Sequence, residues 1–212
     1  MGASCCADKQ SALVPELLRH INLNSTGLQV VYSDPSEEEL DGVLVYLTRE
    51  LMPIGPTSSA LYRKEGSELT VKCQEEGMSR GGIHCGDVLV IDSVRVQAKY
   101  LVCVICPEQL LEALHDLLIS AFTIASFKGL QTLAVPIQAL QSDLVSLEKQ
   151  VEVYFQAIQR FVATNGDFKL IRVVGMDAAV AGVCGLEFNR HFPQRLRGRT
   201  ANLRKNCTPL VL

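Results

Sequence analysis

The sequence predicts an α/β protein, a three-layer α/β/α sandwich around a mixed, mostly parallel central sheet. Three observations carry this. The unbroken apolar run Tyr100 to Cys106 reads as a strand covered on both faces, as happens when helices flank a sheet. Pro107 follows where a helix can start, a helical pattern runs from Gln109 to Phe127, and Gly129 stops it. A second apolar run, Leu130 to Ile137, comes next. Strand, helix and strand joined this tightly make a crossover unit, and ligands normally sit at the ends of such strands.

The remaining elements follow in order. Residues 1–10 read as an unstructured head, 11–192 as one domain and 193–212 as a basic tail. Ala12 to Ile21 predicts a short helix, with Leu13, Leu17, Leu18 and Ile21 on one face. Leu28 to Tyr32 is a strand. Ser33-Asp34-Pro35-Ser36 is a turn, and Glu37-Glu38-Glu39 an acidic first helical turn suited to the positive end of a helix dipole. Gly42 to Leu47 is a buried strand, followed by a loop with Pro53, Gly55 and Pro56. Ser58 to Lys64 and Glu68 to Glu76 read as helices, Met78 to Cys85 as a glycine-rich loop and Asp87 to Asp92 as a strand. Ser142 to Thr164 is the longest helix, with Leu147, Val151, Tyr154, Phe155, Ile158 and Phe161 at helical spacing and Asn165-Gly166 as its stop. Lys169 to Val174 is the last strand and Ala178 to Phe192 the last helix.

A chain of 212 residues suits one well-buried core, and 48% hydrophobic with 20% charged residues is a globular composition. The net charge of −3 gives no general attraction to nucleic acid. No apolar run reaches the roughly 20 residues needed to span a bilayer, and residues 1–10 lack a secretory apolar region. Of the eight cysteines, Cys103 and Cys106 lie in an apolar run and Cys184 among small residues. Those are settings of buried, reduced thiols, so a cytoplasmic place is expected, with the nucleus left open.

Laid end to end, these elements resemble the macro domain, the ADP-ribose-binding α/β/α module, over roughly Leu28 to Phe192. The resemblance is carried by Gly86-Asp87-Val88-Leu89-Val90, by Ala98-Lys99-Tyr100 running through to Cys106-Pro107, and by Thr132-Leu133-Ala134-Val135-Pro136-Ile137. It implies ligand contacts at Asp34, Thr48, Gly55, Pro136 and Ala139. Asp34 would present its carboxylate to an adenine amino group, and Thr48 stands where the family has an asparagine beside the distal ribose.

The binding loops depart from the family pattern. Val45-Tyr46-Leu47-Thr48 falls on the family's Asn-Ala-Ala-Asn, so both amides are gone. The first glycine-rich loop keeps only Gly55, and the second falls on Gln138-Ala139-Leu140-Gln141, which has no glycine. Main-chain donors reach a pyrophosphate where glycine permits close approach; Ala139 and Leu140 obstruct it, and Pro56 removes a donor. Each charge-assisted bond lost costs about 1.5–3 kcal/mol. No histidine or carboxylate replaces the lost amides as a water-positioning base. The expectation is a non-catalytic interaction or adaptor module with weak or no ADP-ribose binding, no cofactor and an unidentified protein partner. An ADP-ribose reader with remodelled loops and an ADP-ribosyl hydrolase are the alternatives.

Other signals have a plain and a chemical reading. Asp34, placed before Pro35, is also a fitting turn cap. His84-Cys85 lacks the second pair that a metal site requires. Cys103-x-x-Cys106 has redox spacing, but residues three apart on a strand face opposite ways. Met1-Gly2-Ala3-Ser4-Cys5-Cys6 resembles an acylation signal, with Gly2 as the myristoyl acceptor and Cys5 and Cys6 open to palmitoylation. One acyl chain anchors only marginally; the second attachment to a membrane surface would come from those cysteines or from the basic patch Arg190, Arg195, Arg197, Arg199, Arg204 and Lys205.

Overall fold

The computed structural model describes residues 15–138, 145–165 and 168–193. Seven strands form one sheet in the order β1-β2-β7-β6-β3-β5-β4. They are β1 (Glu16–Leu23), β2 (Thr26–Tyr32), β3 (Gly42–Leu47), β4 (Val88–Asp92), β5 (Tyr100–Ile105), β6 (Thr132–Pro136) and β7 (Leu170–Gly175). The five interior strands, β2-β7-β6-β3-β5, are parallel, and antiparallel strands close both edges. Helices α1 (Gly55–Glu65) and α2 (Ser67–Ser79) cover one face; α3 (Leu110–Phe127), α4 (Leu147–Asn165) and α5 (Ala178–His191) cover the other. This is the three-layer α/β/α sandwich that the apolar strands predict.

All six residues of β3 are buried, because both faces of that central strand meet helices. Successive side chains enter different cores. Tyr46 and Cys106 join the cluster under α3, α4 and α5, whereas Val45 and Cys103 join the one under α1 and α2. The opposed facing expected for Cys103 and Cys106 is therefore observed. The core of α4 is aromatic: Phe161 stands 5.5 Å from both Phe122 and Phe168, and Phe155 stands 5.7 Å from Phe192. Each such ring contributes about 1.5–3 kcal/mol through burial. Helix α3 has the length and apolarity of a membrane span, but here Leu114, Leu118 and Phe122 bury it against the sheet and α4.

Two carboxylates fasten the sheet's periphery. Glu65, at the end of α1 and fully buried, accepts from the N–H groups of Val94, Arg95 (3.0 Å) and Val96 (3.2 Å) and from the Ser93 hydroxyl (3.3 Å). It thereby holds the β4–β5 connection. Asp41, just before β3, accepts from the N–H groups of Gln131 and Thr132 (both 3.0 Å) and from Lys99 (2.8 Å).

Three expectations are corrected. Residues 16–23 are a strand, paired antiparallel with β2 through a two-residue turn in which Asn24 takes φ 54°. The apolar spacing that suggested a helix is broken by an irregularity between Leu17 and Arg19. The acidic run opens no helix: only Pro35–Glu37 forms a 3-10 turn, and Glu38 folds inward onto Ser33 and Arg172. Helix α4 starts at Leu147, after Ser146, rather than at Ser142; residues 139–144 lie outside the described ones.

Candidate functional site

The carboxyl ends of β3, β5 and β6 converge on the start of α1. Pro53-Ile54-Gly55-Pro56 turns the chain sharply here, with Gly55 at φ 72° and the Ile54 N–H bonded to the Tyr46 carbonyl at 2.9 Å. Pro56 suits the first helical turn, where its missing N–H has no partner to lose, so α1 begins at Gly55 and not at Ser58 as expected. A helix start that opens at sheet ends is the usual place for an anionic ligand.

In this chain a side chain occupies that place. Gln138, the second residue past β6, is 1% exposed. In the amide orientation that satisfies its neighbours, its oxygen accepts from the Ser58 N–H (3.2 Å) and the Ser58 hydroxyl (2.7 Å), and its nitrogen donates to the Ile54 carbonyl (3.1 Å). The Ser58 hydroxyl in turn accepts from the Tyr46 N–H at 3.0 Å. The Gln138 N–H donates to the Tyr154 hydroxyl (3.3 Å), and the Thr57 hydroxyl donates to the Ile137 carbonyl (3.5 Å). A methyl group on Gly55 would stand 2.4 Å from the end of the Gln138 amide. Ser58, in the first turn of α1, thus meets a neutral amide.

Below this plug lie two buried phenols. Burial pushes both hydroxyls up, Tyr46 well above its ordinary value and Tyr154 to about 12. Among the described residues, the Tyr46 hydroxyl is the buried side-chain oxygen without a hydrogen-bond partner.

Beside the plug an open cleft of about 1000 Å³ runs between the ends of β3 and β5 and the start of α3. Thr48, Glu50, Ile54, Cys85, Cys106 and Gln109 are among its lining residues. Gln109 caps α3 without a side-chain hydrogen bond. Among the described residues no cluster of His, Cys, Asp or Glu is arranged to hold a metal ion.

The expected ligand residues are partly gathered here. Thr48 lines the cleft, its hydroxyl accepting from the Met52 N–H at 3.3 Å. Gly55 and Pro136 flank the plug, one at the start of α1 and the other at the end of β6. Asp34 accepts from the Ser36 N–H at 2.9 Å, so it is the turn cap that its place before Pro35 suggests. Ala139, Gly2, Cys5 and Cys6 lie outside the described residues. The residue that sequence reasoning named without its role is Gln138. Its signal was a polar side chain directly after a buried strand, on the segment that faces α1.

No protein-family model matches the sequence, and no curated protein does either. Solved structures do. The Oceanobacillus iheyensis macrodomain with ADP superposes with a TM-score of 0.70 at 17% identity, over 84% of this chain and 97% of that one. The Trypanosoma brucei macrodomain in complex with ADP-ribose gives a TM-score of 0.59 at 15% identity, over 76% and 68%. The same macrodomain in complex with ADP gives 0.63 at 14%, also over 76% and 68%. The chain has the macrodomain fold, as its strand pattern led one to expect.

Proposed function

We propose that this chain is a non-catalytic interaction module that keeps the macrodomain architecture while its own Gln138 occupies the anion-binding start of α1. The observation that carries this reading is the buried Gln138 amide, bonded to Ser58 and Ile54 where a phosphate oxygen would need the same donors. A ligand phosphate must displace that amide and break its three hydrogen bonds to Ser58 and Ile54. Expelling the amide from this buried place costs a few kcal/mol, which against a micromolar affinity of about 8 kcal/mol takes binding toward the millimolar range. Thr48 in place of an amide, and Pro56 in place of a donor, weaken the site further.

Calorimetric titration with ADP-ribose tests this. The wild-type chain should give no saturable heat at micromolar ligand, while Gln138→Gly should gain weak binding. Saturable micromolar binding by the wild type would overturn the proposal and favour an ADP-ribose reader that uses the open cleft beside Thr48. Release of label from an ADP-ribosylated protein would instead favour a hydrolase. The acylation-like Gly2, Cys5 and Cys6 support a cytoplasmic, membrane-tethered placement. Under that placement Gly2→Ala should shift the protein from the membrane to the soluble fraction; a wild type found wholly soluble in cells refutes the tether.

A further inference from the structure

We propose that two copies of this chain pair through β1, joining their sheets edge to edge about a two-fold axis. A sheet edge carries a row of main-chain N–H and C=O groups without partners, and proteins that stay monomeric cover or blunt it. The two edges of this sheet are treated differently. At β4, Lys72 of α2 donates to the Asp92 carbonyl at 2.7 Å, and Arg80, just past α2, donates to the Val88 carbonyl at 3.1 Å. Both ends of that five-residue strand are thus covered by cationic side chains. The other edge, β1, is eight residues long, and among the described residues no strand pairs with its outer side.

Which groups of β1 are free follows from β2. The Gly27 N–H donates to the Lys169 carbonyl at 2.9 Å, and the Ser33 N–H donates to the Gly175 carbonyl at 3.3 Å. Odd-numbered residues of β2 therefore direct their main chain toward β7, and the even-numbered ones toward β1. Those are Thr26, Leu28 and Val30, which stand opposite Leu23, Ile21 and Arg19. His20 and Asn22, lying between, turn their N–H and C=O groups outward, and both residues are exposed. Upstream, the Leu18 carbonyl accepts from the Arg19 guanidinium at 2.7 Å. Downstream, the chain turns back at Asn24. The open edge is thus the main chain of His20 and Asn22.

A second copy fits this edge in one register. An antiparallel neighbour must set outward groups against outward groups. Pairing His20 with His20 puts two imidazoles side by side and Arg19 against Ile21. Pairing Asn22 with Asn22 carries His20 past the strand end onto Asn24. Setting His20 opposite the second copy's Asn22, and Asn22 opposite its His20, engages both residues of both copies, each pair exchanging N–H and C=O bonds. The axis then passes between the two Ile21 residues, whose Cα atoms stand about 4.5 Å apart as a non-hydrogen-bonded pair. Leu23 meets the apolar stem of Arg19, and no like charges stand opposite each other. The faces agree as well: imidazole meets amide on one face, while Ile21 and Leu23 meet their partners on the face where both already pack against the core. One patch serves both copies, so assembly closes at two. This surface is separate from the Gln138 site, and the pairing stands whether or not ADP-ribose binds.

Sedimentation equilibrium of the full chain, from low micromolar to millimolar concentration, tests the pairing. The average mass should rise from 23.2 kDa toward twice that value and no further. Asn22→Pro removes an outward N–H while leaving the β1–β2 hydrogen bonds in place, a change that edge strands tolerate. It should hold the mass at 23.2 kDa at every concentration. Hydrogen exchange followed by NMR on the wild type needs no variant: the His20 and Asn22 amides should slow as concentration rises, and Val90 at the guarded edge should not. A wild type that stays monomeric throughout, growth beyond the dimer, a dimer that persists in Asn22→Pro, or slowing at Val90 instead of His20 and Asn22 overturns the proposal.

Discussion

Replacing Gln138 with alanine removes the amide that closes the start of α1. Three hydrogen bonds disappear: two to Ser58 and one to the Ile54 carbonyl. Each contributes about 1 kcal/mol net; the Ser58 N–H and the Ile54 carbonyl keep the first intrahelical bond of α1 to each other, and water can enter the emptied space. The sum is a loss of about 3 kcal/mol. For a domain of this size that corresponds to a fall in Tm of roughly 6–12 °C. Chemical denaturation with an unchanged slope, followed by a thermal scan, measures it. Gln138→Glu is the informative companion. Its carboxylate can still accept from Ser58 and suits the helix dipole, but it cannot donate to Ile54, so it should fall between wild type and alanine at neutral pH. If Gln138→Ala stays within about 0.5 kcal/mol of wild type, the amide does not hold this junction and the occlusion argument fails with it.

Glu65→Gln should cost on the order of 3 kcal/mol, because an amide offers one acceptor oxygen where three N–H groups and a hydroxyl now bond to the carboxylate. Faster hydrogen exchange at Val94 to Val96 would locate the damage, and unchanged exchange there refutes the role. Tyr46→Phe removes a buried hydroxyl that lies near the Tyr154 hydroxyl without a well-formed hydrogen bond to it, and should stabilise the protein by about 1 kcal/mol; a clear loss in denaturation would mean that the two hydroxyls bond. For Asp41, partial burial pushes the carboxyl up, but Lys99, the Gln131 and Thr132 N–H groups and the Thr132 hydroxyl outweigh it and hold the pKa down, from 3.8 to about 2. The folded value is the lower one, so this stabilisation is present above pH 3.8 and lost as pH falls toward 2. On the order of 1–2 kcal/mol of acid sensitivity in that window should vanish in Asp41→Asn.

The layer order was legible in the sequence because strands buried on both faces leave unbroken apolar runs, as in β3 and β5, and because α3 and α4 carry long helical periods. The capping role of Asp34 and the opposed faces of Cys103 and Cys106 were legible too, since both follow from local backbone geometry. Strand β1 was not, because its apolar residues fall at a helical spacing while the segment, at the sheet's edge, takes its structure from pairing with β2.

What the sequence determined by itself was the make-up of the loops: no glycine after β6, a threonine at Thr48, and a proline at the start of α1. A proline lacks an N–H wherever the chain goes, so such features are local and readable. Only the tertiary structure decided what stands at the start of α1. Parallel strands joined by crossovers bring Gln138 to Ser58, eighty residues away in the chain. Such contacts depend on strand order and register, which are set by how the whole sheet packs its two faces rather than by any neighbouring residue.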